Sequence, residues 1–450
     1  MSRLHYITGA AGTGKTHALG DALVEWLNKN ELKEHQSVLA MTRMHGSRRR
    51  LCQRLPSPSL RSKLIVTTVD SFALRLVNRW RLSLGYNSPI VPGEEGTFMK
   101  DELGYRATFD EIMKCAADLS ASSLVAKTVA NGFPLILVDE FQDCTGSQLS
   151  LIANLREYVD LILAADPFQA LDGDESACEW ARGLEGQEFV QVTHLKRCER
   201  TDCHCLLEAA DALLENRLAA YSGDALPFIL APTYNLAVWK VLIPRLTGDR
   251  TAALIYPARP TFTNLANSAT RQSEKRLAGG KNPVRLPWRI QVSDAELAKQ
   301  THAGFTKAIL EGTWKQNEKW RKLFEHAQYL SKAKGHIEPP QKFLEYVVTS
   351  FVQARKFVAA QPIKFEATTV HGAKNREFDQ VYVLWDNNLC TKMDNEQKRR
   401  RLYNAITRAR TSGTVIAIGS EKQVRKCPVL SLLLTPGVGA EPFPGSAELS

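Results

Sequence analysis

Short apolar runs alternate with stretches whose apolar positions recur at helical spacing along much of this 450-residue chain. The runs Leu4–Thr8, Ser37–Met41, Leu64–Thr68, Pro134–Val138 and Leu161–Ala165 read as strands, and Ala18-Leu19, Ala22-Leu23 and Trp26-Leu27 mark one face of a helix between the first two. Runs without polar interruption suit strands covered on both faces, so the pattern predicts a parallel sheet flanked by helices. From about Asn78 to Gly132 the alternation lapses, which predicts an inserted, mainly helical subdomain. A second block begins at Val190 and contains further strand-like runs at Thr251–Tyr256, Phe365–Thr369, Val381–Trp385 and Thr414–Ile418. A helical stretch interrupts it, with the capping-box form Ser293-Asp294-Ala295-Glu296 and an apolar stripe at Phe343-Leu344, Val347-Val348 and Phe351-Val352 that belongs to a core. The expected division is therefore 1–77 with 133–189, an insertion at 78–132, then 190–260 with 363–435, an insertion at 261–362, and a loose tail at 436–450 that is rich in Pro and Gly.

The first strand runs straight into Gly9-Ala10-Ala11-Gly12-Thr13-Gly14-Lys15-Thr16, which fits the phosphate-loop pattern G-x-x-x-x-G-K-S/T. Glycines let the backbone approach a polyphosphate closely, and the helix that follows turns its positive end to the same anion. Lys15 would reach the β- and γ-phosphates of a nucleotide, and the Thr16 hydroxyl would ligate Mg²⁺. The fourth strand ends in Asp139-Glu140-Phe141-Gln142-Asp143. In a chain with a phosphate loop, an acidic pair at the carboxyl end of a buried strand is where a metal-binding Asp139 and a water-activating Glu140 are expected. The next strand delivers Asp166-Pro167-Phe168-Gln169, where Gln169 either bonds a γ-phosphate or attacking water or is a polar turn residue.

Composition narrows the class. No window is apolar enough to cross a membrane, and Met1–His5 lacks a signal-peptide layout, so a soluble, cytoplasmic protein without membrane contact is expected. Nine cysteines without regular spacing read as reduced thiols; Cys198, Cys203, His204 and Cys205 cluster but do not form a known pair-of-pairs metal motif. The net charge of +10 is concentrated: residues 261–362 hold seventeen basic and eight acidic side chains. Such a segment suits a polyanion. Trp288, Trp314 and Trp320 lie among those cations, either as stacking platforms for bases or as packing for a small helical unit.

The ordered motifs resemble those of superfamily 1 helicases of the UvrD/Rep/PcrA type across nearly the whole chain. Gly9–Thr16 matches the first motif, Asp139–Asp143 resembles D-E-x-Q-D, Asp166–Gln169 resembles G-D-P-x-Q, and Leu195–Thr201 resembles L-x-x-N-Y-R-S. Thr369–Lys374 is similar to the start of T-x-H-x-A-K-G-L-E-F, and Tyr403–Arg410 to Y-V-A-x-T-R-A-R. The resemblance implies an α/β fold of two RecA-like P-loop NTPase domains with parallel sheets, each carrying an inserted subdomain. It implies ATP and Mg²⁺ between the two, with Arg200 and Arg408 as arginine fingers; a planar cation suits the charge spread over a transferring phosphoryl group. It further implies an ATP-dependent DNA helicase or translocase moving 3′ to 5′ on single-stranded DNA, with a duplex junction as a further partner and strand contacts at Thr42, Phe72 and His371.

The chain departs from the family at informative places. Glu199 stands where a tyrosine stacks on the base, and Thr42-Arg43-Met44-His45-Gly46-Ser47-Arg48 replaces T-F-T-N-K-A-A. Ala170-Leu171-Asp172-Gly173-Asp174 follows Gln169, where the family places aromatics that sandwich DNA bases. Each lost platform removes about 1–3 kcal/mol of stacking per base. A rival reading follows: a nucleotide-controlled ATPase subunit for a nuclease in DNA repair or phage defence, with little unwinding of its own.

Overall fold

The computed structural model describes residues 2–42, 63–93, 96–100, 104–171, 173–231, 250–256, 289–290, 303–316, 318–333, 365–374, 376–386 and 393–434. Strands β1 (Leu4–Gly9), β2 (Val38–Thr42), β3 (Leu64–Thr68), β7 (Leu135–Asp139), β8 (Asp160–Ala165) and β9 (Val190–Leu195) form an all-parallel sheet in the order β3-β2-β7-β8-β1-β9. Helix α1 (Lys15–Lys29) covers one face through Leu19, Ala22 and Leu23, which pack on Ile7, Ala40, Leu137 and Ile162. Helices α2 (Val69–Trp80), α3 (Phe109–Ser120), α4 (Ser123–Gly132) and α5 (Ser147–Leu155) supply the other face. With both faces covered, the buried run of β7 carries no polar residue before its final aspartate.

A second parallel sheet runs β10-β15-β14-β11-β13-β12, from β10 (Phe228–Ala231), β11 (Ala252–Tyr256), β12 (Arg289–Ile290), β13 (Phe365–Thr369), β14 (Phe378–Asp386) and β15 (Ala409–Ile418). Two parallel sheets with flanking helices make this a mixed α/β chain of the RecA-like P-loop kind. Helices α6 (His204–Glu215) and α7 (Asn395–Ile406) pack on the second sheet, and their core takes in Ala11, Phe168 and Leu171 from the first unit. The two sheets thus share a packed boundary.

One sequence expectation needs correction. Val190–Leu195, assigned from its position to the second block, pairs along its full length with β1, from Leu4↔Val190 to Gly9↔Leu195, and closes the first sheet. The 78–132 insertion contains α3 and α4 but also a small sheet, β4 (Ile90–Pro92), β6 (Tyr105–Ala107) and β5 (Met99–Lys100) in that order. Its helices have no separate core: Ile112, Met113, Ala116, Val125 and Val129 join the cluster beneath the first sheet. A capping box, Thr108 with Glu111, starts α3.

Among the described residues no helix is long and apolar enough to cross a membrane. Trp314 stacks on Phe324 and Trp320 on Phe305, with ring centroids 4.1 and 5.5 Å apart, so these two rings act in packing. Trp288, Arg48–Arg50, the 293–296 capping box, the 343–352 stripe and the 436–450 tail lie outside the described residues.

Candidate functional site

The carboxyl ends of β1, β7 and β8 meet at the boundary between the sheets. Gly12 and Gly14 both take φ +82°, a left-handed conformation that the turn out of β1 requires and that favours glycine. Gly9 is fixed by approach instead: a Cβ there would stand 2.6 Å from Thr13 Oγ1 and 2.7 Å from the Leu195 carbonyl. Lys15 Nζ donates to the carbonyls of Gly9 (2.8 Å) and Ala10 (2.7 Å) and lies 3.6 Å from Asp166 Oδ2.

Beside it, Thr16 Oγ1 donates to Asp139 Oδ2 at 3.2 Å, and Asp139 Oδ1 accepts from the Glu140 amide. Glu140 has φ 59°, left-handed for a residue with a side chain, where β7 breaks into a short 3₁₀ turn. Backbone strain of this kind clusters at functional sites. Gln142 Nε2 donates to Glu140 Oε2 at 2.6 Å, and Gln142 Oε1 accepts from the Asp166 amide, so one amide side chain spans the ends of β7 and β8. Burial, then the adjacent Glu140 charge, pushes the Asp139 carboxyl up to about 7. Desolvation also opposes the charge on Glu140, but Lys374, Lys15, the Gln142 amide and Arg408 together outweigh it and hold that carboxyl below its ordinary value.

The second unit enters this cluster from the opposite side. Arg408, buried just past α7, donates through Nη2 to Gln169 Oε1 at 3.0 Å, while Gln169 Nε2 donates to Asp166 Oδ2 at 2.8 Å. A relay Lys15–Asp166–Gln169–Arg408 therefore crosses the boundary. Lys374, following helix α8 (Val370–Ala373), pairs with Asp143 where both are buried. Arg200 lies in the loop after β9; its Cβ and the Cys198 thiol crowd Gly12, and its guanidinium donates to the Thr407 carbonyl and pairs with Glu377 at 3.2 Å. Gly9 to Thr16, Asp139, Glu140, Gln169, Arg200 and Arg408 are thus brought to one place.

The strand-contact candidates are not. Phe72 points inward from α2, whose stripe Val69, Phe72, Ala73, Leu76 and Val77 is buried, and meets Phe133 edge-on at 6.4 Å. Thr42 ends β2 between Thr68 and Asp139 and is fully buried. Both are corrected to core positions. His371 is exposed at the start of α8. Sequence reading also left out Asp166, Gln142, Lys374, Arg400 and Tyr403, although each lies in or beside a quoted motif.

The cluster fits a nucleotide with a divalent metal. Thr16 and Asp139 offer hard oxygen donors side by side, and the buried, protonation-prone Asp139 is a carboxylate that a cation would neutralise. No curated protein matches the chain. Among family models, the one described as AAA domain matches residues 1–173, and the one described as UvrD-like helicase C-terminal domain matches residues 364–416. The first covers the phosphate loop, the acidic pair and Gln169; the second covers Lys374 and Arg408. With one match in each unit and the two joined at a single charged boundary, the chain is similar to an AAA domain in its first unit and to a UvrD-like helicase C-terminal domain in its second.

Proposed function

We propose that this chain is an ATP-driven DNA helicase or translocase that hydrolyses ATP at the boundary between its two motor units while moving 3′ to 5′ on single-stranded DNA. The observation that carries it is the relay from Lys15 through Asp166 and Gln169 to Arg408, which joins the phosphate loop to a cation of the other unit. In this reading Gly9–Thr16 wrap the phosphates with backbone amides, and Lys15 exchanges its loop carbonyls for β- and γ-phosphate oxygens. Thr16 and Asp139 would hold Mg²⁺, which when bound would supply charge neutralisation for the phosphates. Glu140, kept ionised by the surrounding cations and fixed by Gln142, orients the attacking water and takes its proton. Gln169 lies between the γ-phosphate position and Arg408, and Arg408 with Arg200 offsets charge on the transferring phosphoryl group. Mechanical work follows if hydrolysis loosens these cross-boundary bonds and the two units part and rejoin on the strand.

ATP turnover with and without single-stranded DNA, beside strand displacement on 3′-tailed and 5′-tailed duplexes, tests the reading. Turnover stimulated by DNA and displacement of the 3′-tailed duplex are expected; displacement confined to the 5′-tailed duplex would reverse the polarity.

The rival, a nucleotide-controlled subunit of a DNA-processing or phage-defence nuclease, draws on two observations. Ala170 and Leu171, where the family stacks bases, are both buried, Leu171 in the core shared by the two units. The 78–132 insertion, with six basic against seven acidic residues, is poorly suited to duplex DNA. It exposes Leu82, Met99 and Leu124 at 68%, 69% and 63%, and it carries a cavity of about 430 Å³ lined by Leu84, Phe98, Cys115 and Leu119. Hydrolysis indifferent to DNA, or unwinding only after a second protein is added, favours that reading.

A further inference from the structure

We infer that Tyr403 is a positioning residue that ties the state of the phosphate loop to the placement of Arg408. The inference rests on the cleft being the ATP-hydrolysing site. Helix α7 and the residues just past its end grip the first unit at three places. Arg400 donates to the Pro167 carbonyl at 2.6 Å and pairs with Glu175, Arg408 reaches Gln169, and between them the Tyr403 hydroxyl accepts from the Ala11 amide at 2.8 Å. Of these three, Tyr403 alone bonds the loop backbone. Its ring is buried edge-on against Phe168, with centroids 5.0 Å apart, and its hydroxyl lies 3.4 Å from Asp166 Oδ2, the carboxylate that also faces Lys15 and receives Gln169.

A phenol hydroxyl accepts and donates at once, so one oxygen can register the amide and the carboxylate together. Loop amides are the groups that turn toward a bound polyphosphate, and Ala11 lies within the loop between Gly9 and Lys15. When that amide turns, its partner on α7 must follow or lose the bond. Arg408 lies five residues further on, its Nε held by the Asn404 carbonyl, so a shift of the helix at Tyr403 is carried to the guanidinium. The apolar packing of Ala11 in the second unit's core keeps the two surfaces in register.

Tyr403→Phe keeps the ring against Phe168 and removes only the hydroxyl, with its 2.8 Å bond from the Ala11 amide and its longer 3.4 Å contact to Asp166. In the full chain it is expected to lower kcat for ATP about five- to tenfold, the scale of one buried hydrogen bond, with KM changed less than about twofold. In an Arg408→Lys background the same change should have almost no further effect, because the group it positions is already impaired. A rise in KM with kcat unchanged, or full additivity with Arg408→Lys, would overturn the inference. If Tyr403→Phe fails to fold, 3,5-difluorotyrosine at 403, a weaker acceptor of the same shape, should lower kcat in the same direction, and an unchanged kcat would again overturn it. Failure of the underlying reading looks different: wild-type turnover would then equal that of Lys15→Ala.

Discussion

The cleft between the two sheets and the surfaces assigned by resemblance to the DNA strand have kept different things. In the cleft, charged and polar side chains of the two units interlock, Asp143 with Lys374 and Gln169 with Arg408, beside the Lys15–Asp166 pair within the first unit. On the strand side, Phe72 and Thr42 are core residues, and Leu171 occupies a place where an aromatic platform would face solvent. Phosphoryl transfer tolerates few substitutions because donors must meet developing charge at fixed positions, whereas grip on a strand can be redistributed among cations and rings. Under the proposed reading, strand contacts would have to be made elsewhere, and the basic 261–362 segment is the place to test for them.

The largest effect that sharpens this contrast is expected at Arg408. Arg408→Ala should reduce DNA-stimulated ATP turnover about a thousandfold, with single-stranded DNA affinity nearly unchanged, as measured by steady-state kinetics and fluorescence anisotropy. A parallel loss of DNA affinity would mean that cleft and strand surface are not separate.

Next comes Arg400→Ala. It leaves the Pro167 carbonyl without its partner and Glu175 with Arg182 alone, and should cost about 1–2 kcal/mol, read as a lower unfolding midpoint in urea. The arginines around it explain why sequence reading missed it. Arg399-Arg400-Arg401 looks like a solvated charge run, and only the helical phase that places Arg400 one turn before Tyr403 turns it inward. The phosphate loop and the acidic pair were legible because their chemistry is written in consecutive residues. The assignment of β9 was not, since V-Q-V-T-H-L announces a strand without saying which sheet receives it. Phe72 failed for a related reason: an aromatic at a family position carries no sign of which way its helix faces until Phe133 is folded against it.

A smaller effect is expected at that position. Phe72→Leu should cost about 1 kcal/mol in stability and leave single-stranded DNA affinity within about twofold of wild type. A large drop in affinity for the folded variant would return Phe72 to the strand surface.

The smallest expected change lies far from the cleft. The Arg217 hydrogen bond, assisted by the Ala220 amide, holds the Glu208 carboxyl below its ordinary value. A depressed carboxyl pKa stabilises the fold at neutral pH, and that contribution is lost as pH falls through the folded value. Glu208→Gln should therefore lower stability by about 0.5 kcal/mol or less at pH 7, the difference fading in acid, while ATP turnover stays unchanged.

Lys15 and Arg408 are proposed to serve one triphosphate, and ATP turnover by the wild-type chain and by Lys15→Ala, each with and without single-stranded DNA, tests this most directly. Wild-type turnover raised by DNA, and a loss of at least about a hundredfold in Lys15→Ala under both conditions, is the predicted result. Equal turnover by the two proteins would contradict it.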